Sequence, residues 1–349
     1  MSNTQFEASN ICTICLEPHP ELTLEHIMPD GLGGSLQVPA LCKSCNSKSG
    51  STADALLINH DIIQMNRAGS GTTGKRGRVP VPFRGSVKDE KGRSMHQYWD
   101  DEGRLAAKYP DGGILHSDLD TETGLLELDG IYNANTPLET ILESINKKLT
   151  RNGKTPITME QLEASIEIEQ REHTQIRGQM VIGLHDHAPG LIKIAHLTAR
   201  YFLGPKYLED FTGELIANAL EEFIAGGTEP GPWFDELSES LGCCQIPLVA
   251  TMLAADDSNV FLPPCPSRQH QVTLALMQNS LGANVLVACV TIYSTFLAIV
   301  PLSQEPERYT KTNLFHRIEF DAVARSHKFV NLLEYGIQAG YLVPLFIRT

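Results

Sequence analysis

The chain has 349 residues and a formal net charge of −14, with 42% hydrophobic and 20% charged residues. That length suits two domains, or one large domain with a small appendage. The acidic balance excludes a nucleic-acid grip spread over a wide basic face, because phosphate contacts need Lys and Arg; any such contact must be local.

The first residues, MSNTQFEASN, are polar and lack the apolar stretch of a signal peptide, so the expected compartment is the cytoplasm. Two Cys-x-x-Cys pairs follow, Cys12/Cys15 and Cys42/Cys45. In a cytosolic chain that spacing argues for metal rather than for disulfides. Four thiolates in two knuckles suit tetrahedral Zn²⁺ in a closed structural site. Between the knuckles the sequence reads TLEHIMPDGLGG, a short strand and a glycine turn, and a second strand leads to Cys42. After Cys45 a helix is expected, with Ser51 as its N-cap and Ala55, Leu56, Ile58, Ile62, Ile63 and Met65 as apolar positions. The order predicts a ββα unit over residues 1–65.

Residues 66–94 form a Gly-rich basic stretch that includes Arg67, Lys75, Arg76 and Arg78. It reads either as a solvated linker or as an arm along a phosphate backbone. Residues 95–349 read as a larger mixed α+β domain. Turn signals at 101–103, 111–113 and 123–124 predict a β-meander over 95–134. Thr136 as N-cap and Pro137 at the first helical position predict a helix to about Thr150. A strand is expected near 165–183, and helices near 189–203 and 206–226. A second meander is expected over 268–302, turning between Asn279 and Asn284, and a helix over 321–340. The longest apolar run, Val285 to Val300, is too short for a membrane span and rich in β-branched residues, so it predicts two adjacent buried strands. The overall class is α+β, with no membrane segment expected.

Several residues invite functional readings that simpler ones cover. His185-Asp186-His187 precedes a helix and reads as an entry loop. His60 reads as a surface or core histidine, Cys243 and Cys244 as small core residues, and Trp99 and Trp233 as core or edge aromatics.

The cysteines alone favour a zinc ribbon that only holds the chain together. Glu25-His26 and Asn46 add a second possibility. Closing both knuckles on one zinc brings the first strand near the start of the helix, so Glu25, His26 and Asn46 can share one cleft. Carboxylate and amide oxygens suit Mg²⁺ or Mn²⁺. A histidine titrates near neutrality and can take a proton from water.

The stretch TLEHIMPDGLGG…LCKSCNSKSGS resembles the HNH (ββα-metal) endonucleases, in the branch stapled by four cysteines and zinc. The resemblance covers about residues 9–55. It implies that His26 is the general base, that Glu25 and Asn46 hold a catalytic Mg²⁺ or Mn²⁺, and that Cys12, Cys15, Cys42 and Cys45 hold structural Zn²⁺. Ile27, Pro29 and Gly33-Gly34 match the segment after the histidine and the turn. The family's middle motif residue, usually Asn, falls near Gln37, and Glu stands at position 25 where Asp is commoner. The implied activity is phosphodiester hydrolysis in double-stranded DNA, leaving 5′-phosphate and 3′-hydroxyl ends, with Lys43, Lys48, Lys75, Arg76 and Arg78 as candidate DNA contacts. It further suggests a restriction, mobile-element or phage-defence effector. Residues 95–349 would then recognise the target, pair with a second copy, or sense a protein or signal partner. The competing reading is a non-catalytic zinc-stapled module that binds nucleic acid or protein.

Overall fold

The computed structural model describes residues 7, 9–74, 77–81, 87–89, 94–102, 104–109, 113–119, 126–132, 136–166, 176–177, 185–226, 229–241, 268–278, 282–293, 295–309 and 316–331. In chain order the elements are β1 (Thr23–His26), β2 (Gln37–Leu41), α1 (Lys43–Ser51), α2 (Ala53–Asn59) and α3 (Asp61–Ser70). Next come β3 (Val87–Asp89), β4 (Ser94–Trp99), β5 (Leu105–Lys108), β6 (Gly113–Leu119), β7 (Leu126–Ile131), α4 (Leu138–Arg151), α5 (Met159–Ser165) and β8 (Ile176–Arg177). Then follow α6 (Ala188–Leu203), α7 (Phe211–Ile224), α8 (Pro230–Leu241), β9 (Gln269–Gln278), β10 (Asn284–Ile292), β11 (Phe296–Ser303), β12 (His316–Asp321) and β13 (Ser326–Asn331). The class is α+β as expected. Among the described residues, no helix is long and apolar enough to cross a membrane.

Packing divides the chain into two compact units, residues 1–82 with 181–349, and residues 83–180. This cuts the chain at other places than the expected boundaries at 65 and 94. The physical reason lies in the core of the first unit. Apolar residues of the cysteine hairpin, α2, α6, α7 and strands β9 to β12 form one continuous buried cluster, from Cys12 to Ala322. The N-terminal hairpin alone cannot bury its apolar face, and it borrows its core from segments far along the chain.

Helix α6 is the centre of this unit. All sixteen of its residues are buried. A helix apolar on every side needs neighbours on every side. One neighbour is α2, and a Cβ added at Gly190 would stand 2.6 Å from the Leu57 Cβ. Others are α7, β10 and β11. The five-stranded antiparallel sheet has the order β11-β10-β9-β12-β13. The run from Val285 to Val300 supplies β10 and the first half of β11, as its β-branched content predicts.

The second unit holds the hairpin β6–β7 and a four-stranded sheet ordered β5-β4-β3-β8. Helix α4 buries Ile141, Ile145 and Leu149 along one stripe at helical spacing. Helix α5 opens with a capping box between Thr158 and Gln161.

Three local expectations are corrected. Ser51 is the last residue of α1, not an N-cap, and three short helices replace the one expected. Helix α4 begins at Leu138 with Pro137 at its cap position and no side-chain cap. The strand expected near 165–183 lies mostly outside the described residues; of those described, Ser165 ends α5 and Ile176–Arg177 form a strand. Where a helix was expected from 321, the chain forms the hairpin β12–β13 as far as Asn331. There the Asp321 carboxylate accepts the backbone N–H groups of Val323 and Ala324 and closes a turn, Arg325 leaves the helical region at φ 51, and the chain pairs back on β12; positions 332–340 of the expected helix lie outside the described residues.

Candidate active site

The first knuckle is tied to β2 by the Thr13 N–H, which donates to the Ala40 carbonyl at 2.9 Å. Leu16 turns the knuckle with φ 55, in the left-handed region. The second knuckle starts α1: Cys42 is the N-cap, and its sulfur accepts the Cys45 N–H at 3.4 Å. The Cys42 N–H in turn donates to the Cys12 sulfur at 3.3 Å. As a result the four sulfurs lie within 4.8 Å of one another.

That donor set fits tetrahedral Zn²⁺, with about 2.3 Å to each sulfur. The thiols perturb one another strongly. A hydrogen bond from Cys45 holds Cys12 down at about 4, burial lifts Cys15 to about 11, and the bond to Cys12 drives Cys45 well above an ordinary thiol. The Cys12 sulfur takes negative charge while Cys15 and Cys45 keep their protons. A bound cation removes that conflict by stabilising all four as thiolates. Among the described residues, no other group of three or more His, Cys, Asp or Glu side chains is placed to hold a metal. His185 and His187 sit at the entry to α6, and His187 is its N-cap. Buried His60 lies between α2 and α3, with its ring against His187 and Phe296.

Between the knuckles, β1 and β2 pair antiparallel, with Glu25 opposite Val38 and His26 opposite Gln37. The chain turns through a short 3-10 segment, Asp30–Leu32, and Gly33 closes it at φ 83. A Cβ on Gly34 would stand 1.7 Å from the Met28 carbonyl oxygen, so glycine is required there. Asn46, one residue past the last cysteine, reaches back to this strand. Its side-chain amide donates to the Thr23 hydroxyl at 2.8 Å and to the Leu24 carbonyl at 3.2 Å.

His26 is partly exposed, its side chain 24% accessible. The Gln37 side-chain amide nitrogen lies 2.9 Å from Nε2. That contact orients the imidazole, and a neutral ring is the form a general base needs. The Asp30 carboxylate lies 4.0 Å from the same nitrogen.

Glu25 is placed differently from the expectation. Adjacent strand residues point to opposite faces, and Glu25 turns inward while His26 turns out. Glu25 is buried, and its carboxylate accepts from the Lys193 ammonium of α6 at 2.5 Å. Lys193 also donates to the Asp54 carboxylate at 2.7 Å. Burial pulls the Lys193 pKa down, but the two carboxylates outweigh it, and the group stays charged. The structure therefore brings Asn46 to β1 at Thr23 and Leu24, and gives Glu25 a core partner.

Of the candidate DNA contacts, Lys43 and Lys48 are exposed on α1 and Arg78 is exposed after α3. Lys75 and Arg76 lie outside the described residues, as do Cys243 and Cys244.

Residues that the sequence reading passed over hold this hairpin from outside. His196 of α6 contacts the Thr13 carbonyl at 2.8 Å and the Tyr207 hydroxyl at 2.9 Å. His270 of β9 contacts the Leu32 carbonyl at 2.8 Å, and its other ring nitrogen accepts the Tyr293 N–H at 3.3 Å. Burial lowers both imidazoles to about 4, so both are neutral at physiological pH. A signal for Lys193 was present: one lysine inside the apolar run APGLIKIAHL needs a buried countercharge.

Comparison with known proteins adds the family. Residues 12–62 match the family model described as HNH endonuclease. No curated protein and no solved structure matches the chain. The matched segment spans both knuckles, the hairpin, α1 and α2, the same residues that gather the four sulfurs and present His26. Residues 12–62 are therefore an HNH endonuclease-family unit with a four-cysteine cluster suited to structural zinc, set into the core of a larger α+β chain.

Proposed function

We propose that the chain is an endonuclease that hydrolyses phosphodiester bonds in double-stranded DNA, with His26 as general base. The observation that carries this reading is the placement of His26: partly exposed on the HNH hairpin, its ring oriented by Gln37 at 2.9 Å. As a neutral imidazole, His26 takes the proton of a water aligned with a scissile phosphate. Asn46 closes the hairpin onto α1 and holds β1 in place. Zinc at the cysteines sets geometry and takes no part in the chemistry.

The catalytic divalent ion that the family resemblance implies would supply Lewis-acid stabilisation of the phosphate. Asn46 would hold such an ion with its side-chain amide oxygen, the nitrogen being engaged by Thr23 and Leu24. Glu25 does not fit the same role as placed, because its carboxylate is buried on Lys193. The setting we infer, restriction or phage defence, is supported by the joining of an HNH unit to a large partner part.

The Glu25–Lys193 pair is also the one observation that favours the second reading, a zinc-stapled module in which Glu25 is structural. Plasmid nicking with Mg²⁺ or Mn²⁺ separates the two. Wild-type protein is expected to nick. His26→Ala is expected to lose nicking while keeping its zinc content and its thermal transition. A His26→Ala protein that cuts at the wild-type rate overturns the assignment of the base, and a wild type that binds DNA without cutting favours the module.

A further inference from the structure

The hairpin β12–β13 folds back onto the glycine turn of the HNH unit. The approach is close: a Cβ on Gly33 would stand 2.2 Å from the Ala322 carbonyl oxygen. Ser35 and His327 share a 2.8 Å hydrogen bond beside it. This contact carries Arg325 to the site. Its backbone has φ 51, a conformation uncommon for a residue with a side chain, so the turn holds this arginine in an unfavourable shape.

The Arg325 guanidinium donates to the Asp30 carboxylate and, at 3.3 Å, to the Asp30 carbonyl. A second nitrogen reaches the Thr73 carbonyl at 3.4 Å. The side chain is still 36% exposed. The Asp30 oxygen that Arg325 grips is the one 4.0 Å from His26 Nε2. Guanidinium and imidazole thus flank a single carboxylate oxygen. A phosphate approaching His26 would meet the negative charge of Asp30 first, in a chain of net charge −14. Arg325 cancels that charge and, being a planar fork with five N–H groups, can hold Asp30 with one edge while offering another to an anion.

We propose that Arg325, delivered from the far end of the sequence by the β12–β13 turn, is a substrate-contacting residue that binds a DNA phosphate oxygen beside His26. This deepens the nuclease reading above and rests on it. It makes the C-terminal hairpin part of the active site rather than of a separate recognition domain.

The test uses the full chain. DNA binding is measured on the His26→Ala background, by fluorescence anisotropy of a short labelled duplex across a salt series, and nicking is measured on the wild-type background. One lost phosphate contact lowers the slope of log affinity against log salt by about 0.9. Arg325→Ala is expected to show that loss and to nick at least about tenfold more slowly, as for removal of one charge-stabilising donor. Arg325→Lys is expected to restore the salt slope. Should Arg325→Ala unfold, the double variant Asp30→Asn with Arg325→Gln removes both charges and keeps a hydrogen-bonding pair, with the same two readouts expected. An unchanged salt slope in a folded variant overturns the proposal, even where stability or overall affinity drops, because a purely structural tie would leave the slope alone. A wild type that neither binds the duplex nor nicks plasmid removes the nuclease reading itself, and the proposal with it.

Discussion

The β1–β2 hairpin is gripped at its two ends in different ways. At the cysteine end, four sulfurs from two neighbouring segments stand within 4.8 Å of one another. At the glycine end, the grip comes from far along the chain: His270 on the Leu32 carbonyl, Ala322 against Gly33, Arg325 on Asp30, His327 on Ser35. Midway, Lys193 holds Glu25 from the inside. One end depends on a single strong centre, and the other on many weak contacts between segments that only the finished fold brings together. Loss of the first should be all-or-none, and loss of the second graded.

The largest effect should follow removal of the metal. Structural zinc contributes about 10–16 kcal/mol of apparent binding energy in small zinc-stapled units. The hairpin shares one core with α6 and the five-stranded sheet, so its loss should spread through that unit. Cys45→Ala, or treatment with a strong chelator, is expected to abolish bound zinc and the cooperative thermal transition of the first unit together. Zinc by elemental analysis and unfolding by circular dichroism check this. A zinc-free protein that melts like the wild type would show that the distant contacts suffice without the cysteine end.

Next in size is the buried pair in the middle. Lys193→Met leaves Glu25 and Asp54 as uncompensated charges in the core. Breaking a buried pair by removing one partner costs about 3–5 kcal/mol. Adding Glu25→Gln and Asp54→Asn removes those charges and should recover most of the loss. Denaturant unfolding of the single and triple variants measures both steps. A single variant that loses less than about 1 kcal/mol would mean that the pair is hydrated, and would return Glu25 to the set of ligands available to a divalent ion.

The same contrast governs what the sequence made legible. The cysteine end was readable because its signal is local: two Cys-x-x-Cys pairs, a turn and a helix start in fixed order. His26 and Asn46 were placed on the right elements for that reason. Glu25 was assigned to the wrong face because its orientation depends on Lys193, 168 residues away. Arg325 was not singled out because residues 321–340 read as a helix, and nothing local announces that β12 and β13 pair across the turn that carries it. The boundary expected at 65 could not show that the hairpin completes its core with α6. Strands β9 to β11 were legible, since their continuous apolar runs bounded by turns need no partner to be recognised.

The smallest of the three effects tests a single contact at the glycine end by acid. His270 is fully buried and neutral, its pKa lowered from 6.5 to about 4 by burial. Its Nε2–H donates to Leu32, and its Nδ1 accepts from the Tyr293 N–H, so a second proton would face a donor. The unfolded chain protonates this imidazole below about pH 6.5, and the folded chain only near 4. The unfolded state therefore binds more protons across that window, and folding loses stability as the pH falls through it. The contribution is whole above the unfolded value and gone near the folded one, a loss of roughly 3 kcal/mol for the one histidine. Other buried histidines add their own slopes, so the informative quantity is a difference. His270→Gln keeps a donor for Leu32 and does not titrate. Its stability should fall less steeply than that of the wild type between pH 6.5 and 4, when both are followed by urea unfolding at each pH. Parallel curves would mean that His270 is protonated at no penalty, and that the glycine end is held by packing around Gly33 rather than by this hydrogen bond.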